Sequence, residues 1–195
     1  MREYEINRKT AETDIRLKLN IDGRGEYDIE TGIGFFNHML TLFSVHSDMD
    51  LLLRCKGDTD VDYHHTVEDS AITIGEALRN ALQNKRGINR YGFFLLPMDE
   101  SLVTVAVDIS GRSHLSFNCP FPTEKIGSFD TELVEEFFSS LVRYAGITVH
   151  IDLVRGRNSH HIAEAVFKGF AHALRQAVSI DEGKRNVIPS SKGVL

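Results

Sequence analysis

His64-His65-Thr66-Val67-Glu68 is echoed by His160-His161-Ile162-Ala163-Glu164, at an offset of 96 residues (160 minus 64). At the same offset Ala77-Leu78 matches Ala173-Leu174. Self-similarity at a fixed offset marks an internal duplication. Apolar residues follow both motifs at helical spacing: Ala71, Ile74, Ala77, Leu78 and Leu82 in one copy, Val166, Phe167, Phe170, Leu174 and Val178 in the other. Each motif therefore opens a helix with one apolar face.

Working outward, a second helix precedes each motif. Phe35, Phe36, His38, Met39, Leu42, Phe43 and Val45 have helical spacing, as do Leu133, Val134, Phe137, Phe138, Leu141 and Val142. Alternation predicts strands over 49–55 and 147–153, between the two helices of each half. Earlier in each half, 14–22 and 102–108 alternate and run into turns at Asp22-Gly23-Arg24-Gly25 and Ser110-Gly111-Arg112. Short strands are expected at 26–30 and 114–118. Each half reads as strand, strand, helix, strand, helix. One apolar face per strand predicts a sheet covered by helices on one side. The fold class is α+β: an internally duplicated α/β sandwich of two pseudo-symmetric halves. The halves, 1–92 and 93–195, form one compact domain, with a boundary placed at 88–97 around Gly87, Gly92 and Pro97. The tail from Gly183 reads as irregular.

Bulk properties narrow the function. The chain has 195 residues, 26% of them charged, and a formal charge of -6, which gives no support to nucleic-acid binding. No signal-like or membrane-spanning apolar run occurs, so a cytoplasmic setting without membrane contact is expected. Two cysteines, Cys55 and Cys119, fit small apolar fillers in a reduced protein better than a disulfide framework.

Four of the nine histidines lie in the two motifs. On a helix, residues three or four apart share a face, so Glu68 can meet His64 or His65, and Glu164 can meet His160 or His161. Adjacent histidines point about 100° apart and suit two different metals better than one. His38 and Glu136 sit on the preceding helices of their halves and are candidate further ligands. Imidazole plus carboxylate without thiolate suits Mn, Fe, Zn, Co or Ni. Which histidine joins which site is left open. His46, His114, His150 and His172 have no matched partner and fit ordinary structural roles. Arg90, Arg112, Arg155, Arg157, Lys168 and Lys192 lie near turns, hydroxyls or the motif helix, where an anion can bind. No nucleotide-binding glycine motif is present.

Many spaced motifs together resemble the imidazoleglycerol-phosphate dehydratases of histidine biosynthesis. They run from Arg8, Thr10, Glu12 and Thr13, through Gly32 to Leu40, Gly57-Asp58, Asp62 to Asp69 and Lys85 to Arg90. They continue through Asp99-Glu100, Ser110 to Arg112, His160 to Glu164, Phe167-Lys168 and Pro189 to Gly193, covering nearly the whole chain. The resemblance implies dehydration of D-erythro-imidazoleglycerol phosphate to imidazole-acetol phosphate, through an imidazolate and a diazafulvene-like intermediate, with two Mn(II) ions. It implies a homo-oligomer, a 24-subunit cubic assembly with sites between subunits. It implies metal ligation by His38, His64, His65, Glu68, His160, His161 and Glu164, with Glu136 a further candidate. Glu12 would be the acid–base group and substrate contact, and Glu164 a second proton shuttle. Arg90, Arg112, Lys168, Ser190, Ser191 and Lys192 would bind the phosphate, which makes the tail part of that pocket.

Two positions depart from the family pattern. Many members carry His where this chain has Glu136, and Asp-Gln where it has Thr41-Leu42. Two other functions compete. A metal-dependent hydrolase of a small phosphorylated or amide substrate would use the same ligands to activate water. A structural or metal-storage oligomer would have no anion pocket near the metals.

Overall fold

The computed structural model describes residues 2–195. The first half contains β1 (Glu3–Lys9), β2 (Thr13–Asn20), β3 (Tyr27–Glu30), α1 (Gly34–Ser47), β4 (Asp50–Gly57) and α2 (His64–Ala81). The second contains β5 (Tyr91–Met98), β6 (Ser101–Asp108), β7 (His114–Asn118), α3 (Glu132–Ala145), β10 (Thr148–Arg155) and α4 (Ser159–Val178). A two-stranded ribbon, β8 (Lys125–Ile126) and β9 (Phe129–Asp130), is inserted before α3. The sheet orders, β1-β2-β4-β3 and β5-β6-β10-β7, are the same order twice. In each sheet the last pair is parallel and the others antiparallel.

The alternation of β2 shows why the sheets are one-sided. Ile15, Leu17 and Leu19 are buried, while Arg16 and Lys18 face outward. Both sheets pack on the helices of their own half, and the helices pair across the halves, α1 with α4 and α2 with α3. The four helices thus fill the space between two outer sheets. Phe36, Phe137, Phe138, Phe167 and Phe170 are buried there in contact with one another, each contributing roughly 1.5–3 kcal/mol of burial energy. Cys55 and Cys119 are buried and unbridged. No helix is long and apolar enough to cross a membrane among the described residues.

Two strands differ from the sequence reading. β1 and β5 each pair with the following strand, giving every half a fourth strand. The stretch 88–97 holds most of β5. It reads as a break because Tyr91-Gly92-Phe93-Phe94-Leu95-Leu96-Pro97 is apolar on both faces, which erases alternation. Gly92 is there for contact. A Cβ added to it would lie 1.8 Å from the Ala173 carbonyl oxygen of α4. Gly92→Ala is therefore expected to destabilise the fold by roughly 1–3 kcal/mol through overpacking. An unchanged thermal midpoint would contradict that close approach.

The duplication is exact in register across the first hairpins. Lys9 pairs with Asp14 as Pro97 pairs with Leu102, and Glu3 pairs with Asn20 as Tyr91 pairs with Asp108. The hairpin offset is 88 residues (101 minus 13), not the 96 of the motif helices. The β8–β9 ribbon lies in the second half between these two registers.

Candidate metal centre and active site

A polar side chain just ahead of each motif helix binds its first backbone N–H groups, from the N-cap Asn158 in α4 and from Asp62, one residue before the N-cap Tyr63, in α2. The Asn158 side chain accepts from the backbone N–H groups of His160 and His161 at 3.0 and 3.3 Å. The Asp62 carboxylate accepts from His64 N at 2.7 Å. Both histidine pairs thus sit in the first turn of their helices. In each pair the rings stand 89° apart, so neighbouring imidazoles serve different directions.

The α1–α4 seam brings together three side chains that could hold a metal ion. His38 Nε2 and His160 Nε2 lie 2.9 and 3.0 Å from the same oxygen, Glu164 Oε1. Ligand atoms of the three residues all lie within 4.8 Å of one another. Lys168 Nζ donates to the other oxygen, Oε2, at 2.5 Å. Glu164 is only 7% exposed. Burial pushes its carboxyl up, but Lys168, His38 and His160 pull harder, and it ends at about 2. Two imidazoles and one ionised carboxylate, with no thiolate, fit a hard or borderline divalent ion.

The matching seam, α2 with α3, is more open. His64 Nε2 and Glu68 Oε2 are 3.9 Å apart. Glu136, the α3 counterpart of His38, accepts a hydrogen bond from Ser140 Oγ at 3.0 Å. No group of three metal-binding side chains forms on this seam among the described residues.

The second histidine of each pair is held by a carboxylate on Nδ1. His65 Nδ1 lies 2.9 Å from Asp58 Oδ2, and His161 Nδ1 lies 2.7 Å from Glu100 Oε2. These hydrogen bonds raise both imidazoles above their ordinary range. The His161 bond, with backbone N–H donors, draws Glu100 down to about 2 against its burial. The Nε2 atoms point on toward Glu12 Oε1 and Asp99 Oδ2, each at 3.8 Å. Glu12 sits in the β1–β2 turn. That turn is fastened to α2 by the buried Asp69, which accepts from Thr13 Oγ1 at 2.5 Å and pairs with Arg8 at 3.0 Å.

The basic residues divide between two places. Lys168 is at the histidine end, on Glu164. Arg90 lies just before β5 with a left-handed backbone, φ 74°. Its guanidinium binds Asp108 at 2.7 and 3.2 Å and the Pro189 carbonyl at 3.0 Å. The tail residues Ser190, Ser191 and Lys192 follow that carbonyl. The turn at Gly111-Arg112 approaches the chain end, since a Cβ on Gly111 would lie 3.0 Å from the Leu195 carbonyl carbon. Arg90 and the turn that carries Arg112 thus both approach the tail near the start of β5, while Met98, at its end, contacts Lys168.

A family model described as imidazoleglycerol-phosphate dehydratase matches residues 31–174. The chain belongs to the imidazoleglycerol-phosphate dehydratase family. The dehydratase of Cereibacter sphaeroides is 58% identical over 195 residues, covering 100% of both chains. That of Desulforamulus reducens is 53% identical over 194 residues, covering 100% of this chain and 98% of the other. The crystal structure of the Staphylococcus aureus dehydratase superposes with a TM-score of 0.84 at 45% identity, covering 92% of this chain and 99% of that one. The Pyrococcus furiosus dehydratase, solved in complex with (S)-C348, gives 0.84 at 36% identity, covering 97% and 100%.

Imidazoleglycerol-phosphate dehydratases are metal-dependent hydro-lyases of histidine biosynthesis, and this chain is one of these enzymes. The remaining histidines lie outside the two motif pairs and the His38–His160–Glu164 group. His172 stacks on Phe94 at 4.4 Å and meets His46 edge-on, and burial lowers both imidazoles. His114 and His150 are neighbours on β7 and β10. Sequence reasoning assigned no role to Asp58 or Glu100, although both stand in motifs shared with the dehydratases. Nothing in their spacing announces a partner, because each reaches its histidine through a turn.

Proposed function

We propose that this chain catalyses the Mn(II)-dependent dehydration of D-erythro-imidazoleglycerol phosphate to imidazole-acetol phosphate in the cytoplasm. The observation that carries the reading is the convergence of His38, His160 and Glu164, from both halves of the chain, on one point. His38, His160 and Glu164 would hold one ion, and His64 and Glu68, with Glu136 a candidate, the other. His65 and His161, turned away from these sets, would complete sites formed with neighbouring copies.

The position of the basic cluster supports shared sites. The eight residues of β5 separate it from the histidine end. At about 3.3 Å per residue that is roughly 25 Å, too far for one small substrate. Arg90, Arg112, Ser190, Ser191 and Lys192 would then grip the phosphate of a substrate whose ring lies on another copy's histidines. A 24-subunit cubic assembly of such chains would satisfy this.

Bound metal supplies charge stabilisation and a template for the imidazole ring. The protein's own task is proton transfer. Breaking the C–O bond next to the ring requires a proton for the leaving hydroxyl, which departs as water. Forming the enol from the diazafulvene-like intermediate requires removal of the neighbouring C–H proton. Glu12, half-exposed and 3.8 Å from His65 Nε2, is the chain's candidate for both transfers. Glu164 is suited to ligation first, since Lys168 and two imidazoles already hold both its oxygens.

Incubation of the Mn(II)-loaded protein with imidazoleglycerol phosphate tests the proposal. Imidazole-acetol phosphate with no free phosphate is expected. Release of inorganic phosphate instead would favour a hydrolase.

A further inference from the structure

We propose that Glu100 and Asp58 are positioning residues for His161 and His65, and that Asp58 has released Glu12, the first-half twin of Glu100, for proton transfer. This rests on the reading of both histidines as metal ligands and of Glu12 as the acid–base group.

The twin relation follows from register. At the hairpin offset of 88 (100 minus 12), Glu12 corresponds to Glu100, and each directly precedes the first residue of the second hairpin strand, Thr13 or Ser101. Thr13 and Ser101 are both buried. Chain path alone would give both glutamates the same post. Their surroundings differ. Glu100 Oε2 takes His161 Nδ1, while Oε1 accepts from Asn158 N at 2.9 Å, Arg157 N at 3.3 Å and Ser101 Oγ at 3.2 Å. That carboxylate is thus held by four neighbours. Glu12 has no such hold, and half of its side chain is exposed.

The difference traces to one turn. Gly57 and Gly156 are counterparts, because each closes on the equivalent motif-helix residue, Thr66 or Ile162. The next residue is Asp58 in the first half and Arg157 in the second. Where the turn offers a carboxylate, it takes His65 Nδ1. Where it offers only its backbone N–H, the hairpin glutamate takes His161 Nδ1 instead. The other oxygen of Asp58, Oδ1, is buried with no hydrogen-bond partner among the described residues, so His65 is the partner that fixes this side chain. In both halves Nδ1 is the bonded atom, which leaves Nε2 free to meet a metal. A carboxylate behind a ligating imidazole sets its tautomer and strengthens it as a ligand.

The experiment compares Mn(II) affinity, in metal-buffered titrations of the assembled protein, with turnover at saturating Mn(II). Glu100→Ala and Asp58→Ala are each expected to weaken Mn(II) binding roughly 10–100-fold, with turnover largely recovered at saturation. Glu100→Gln keeps an acceptor for the backbone N–H groups, protects the fold, and is expected to weaken binding less. Glu12→Gln is expected to bind Mn(II) within about twofold of wild type and to lose turnover. Wild-type affinity in all three Glu100 and Asp58 variants would overturn the positioning role. An affinity loss in Glu12→Gln equal to that of Glu100→Ala would overturn the division between the twins. A wild-type protein that binds Mn(II) without turnover would instead count against the dehydratase reading, and the affinities would still decide the positioning.

Discussion

Glu164→Ala is expected to lose Mn(II) at the α1–α4 seam and to cost at least about a thousandfold in turnover, the several kcal/mol that a bound metal supplies. The variant removes one ligand and also strands the Lys168 ammonium, whose side chain is 17% exposed. Breaking a buried pair from one side is costly, because the remaining charge is left without compensation. Glu164→Gln keeps the shape and isolates the charge. The folded carboxyl stands at about 2 against an ordinary value of 4.5. A lowered carboxyl contributes stability above its unfolded value and loses it as pH falls toward its folded value. In the metal-free protein the ionised Glu164 should therefore contribute about 3 kcal/mol near neutrality, fading between roughly pH 5 and pH 2. Urea unfolding of wild type and Glu164→Gln at pH 7 and pH 3 measures this. The gap between them should narrow at pH 3, and a gap independent of pH would refute the charge network.

The second large effect is expected at Glu12. Glu12→Gln should lower kcat by roughly 10²–10⁴-fold, the range for removal of a general acid–base group, with KM little changed. The fold should hold, because the turn is anchored through Thr13, Arg8 and Asp69 and not through the Glu12 side chain. Steady-state kinetics on the Mn(II)-loaded variant decide the matter. A KM effect with unchanged kcat would make Glu12 a binding residue only.

Much of the fold was legible in the sequence, and the exceptions have physical causes. The two His-His-x-x-Glu helices carry polar starts, apolar faces and a fixed offset, so local chemistry and periodicity agree. β2, β4, β6 and β10 show alternation because one face of each is buried and the other wet. β5 does not, since Phe93 and Leu95 are exposed on the face opposite Leu96. In β1, alternation through Tyr4 and Ile6 is present but weak, because none of its residues is fully buried. The group His38–His160–Glu164 joins residues 126 positions apart, and that convergence depends on helix packing across the halves. The same limit applies to Asp58 and Glu100, which meet their histidines across turns. The separation of Lys168 from Arg90, Arg112 and the tail needed the course of β5.

The measurement that bears most directly on the proposed chemistry is the rate of imidazole-acetol phosphate formation as Mn(II) is returned to metal-stripped protein, plotted against ions bound per chain. The predicted result is negligible turnover without metal and a plateau reached at two ions per chain. Full activity without metal, or with a single ion per chain, would contradict a two-metal dehydratase built on the paired histidine helices.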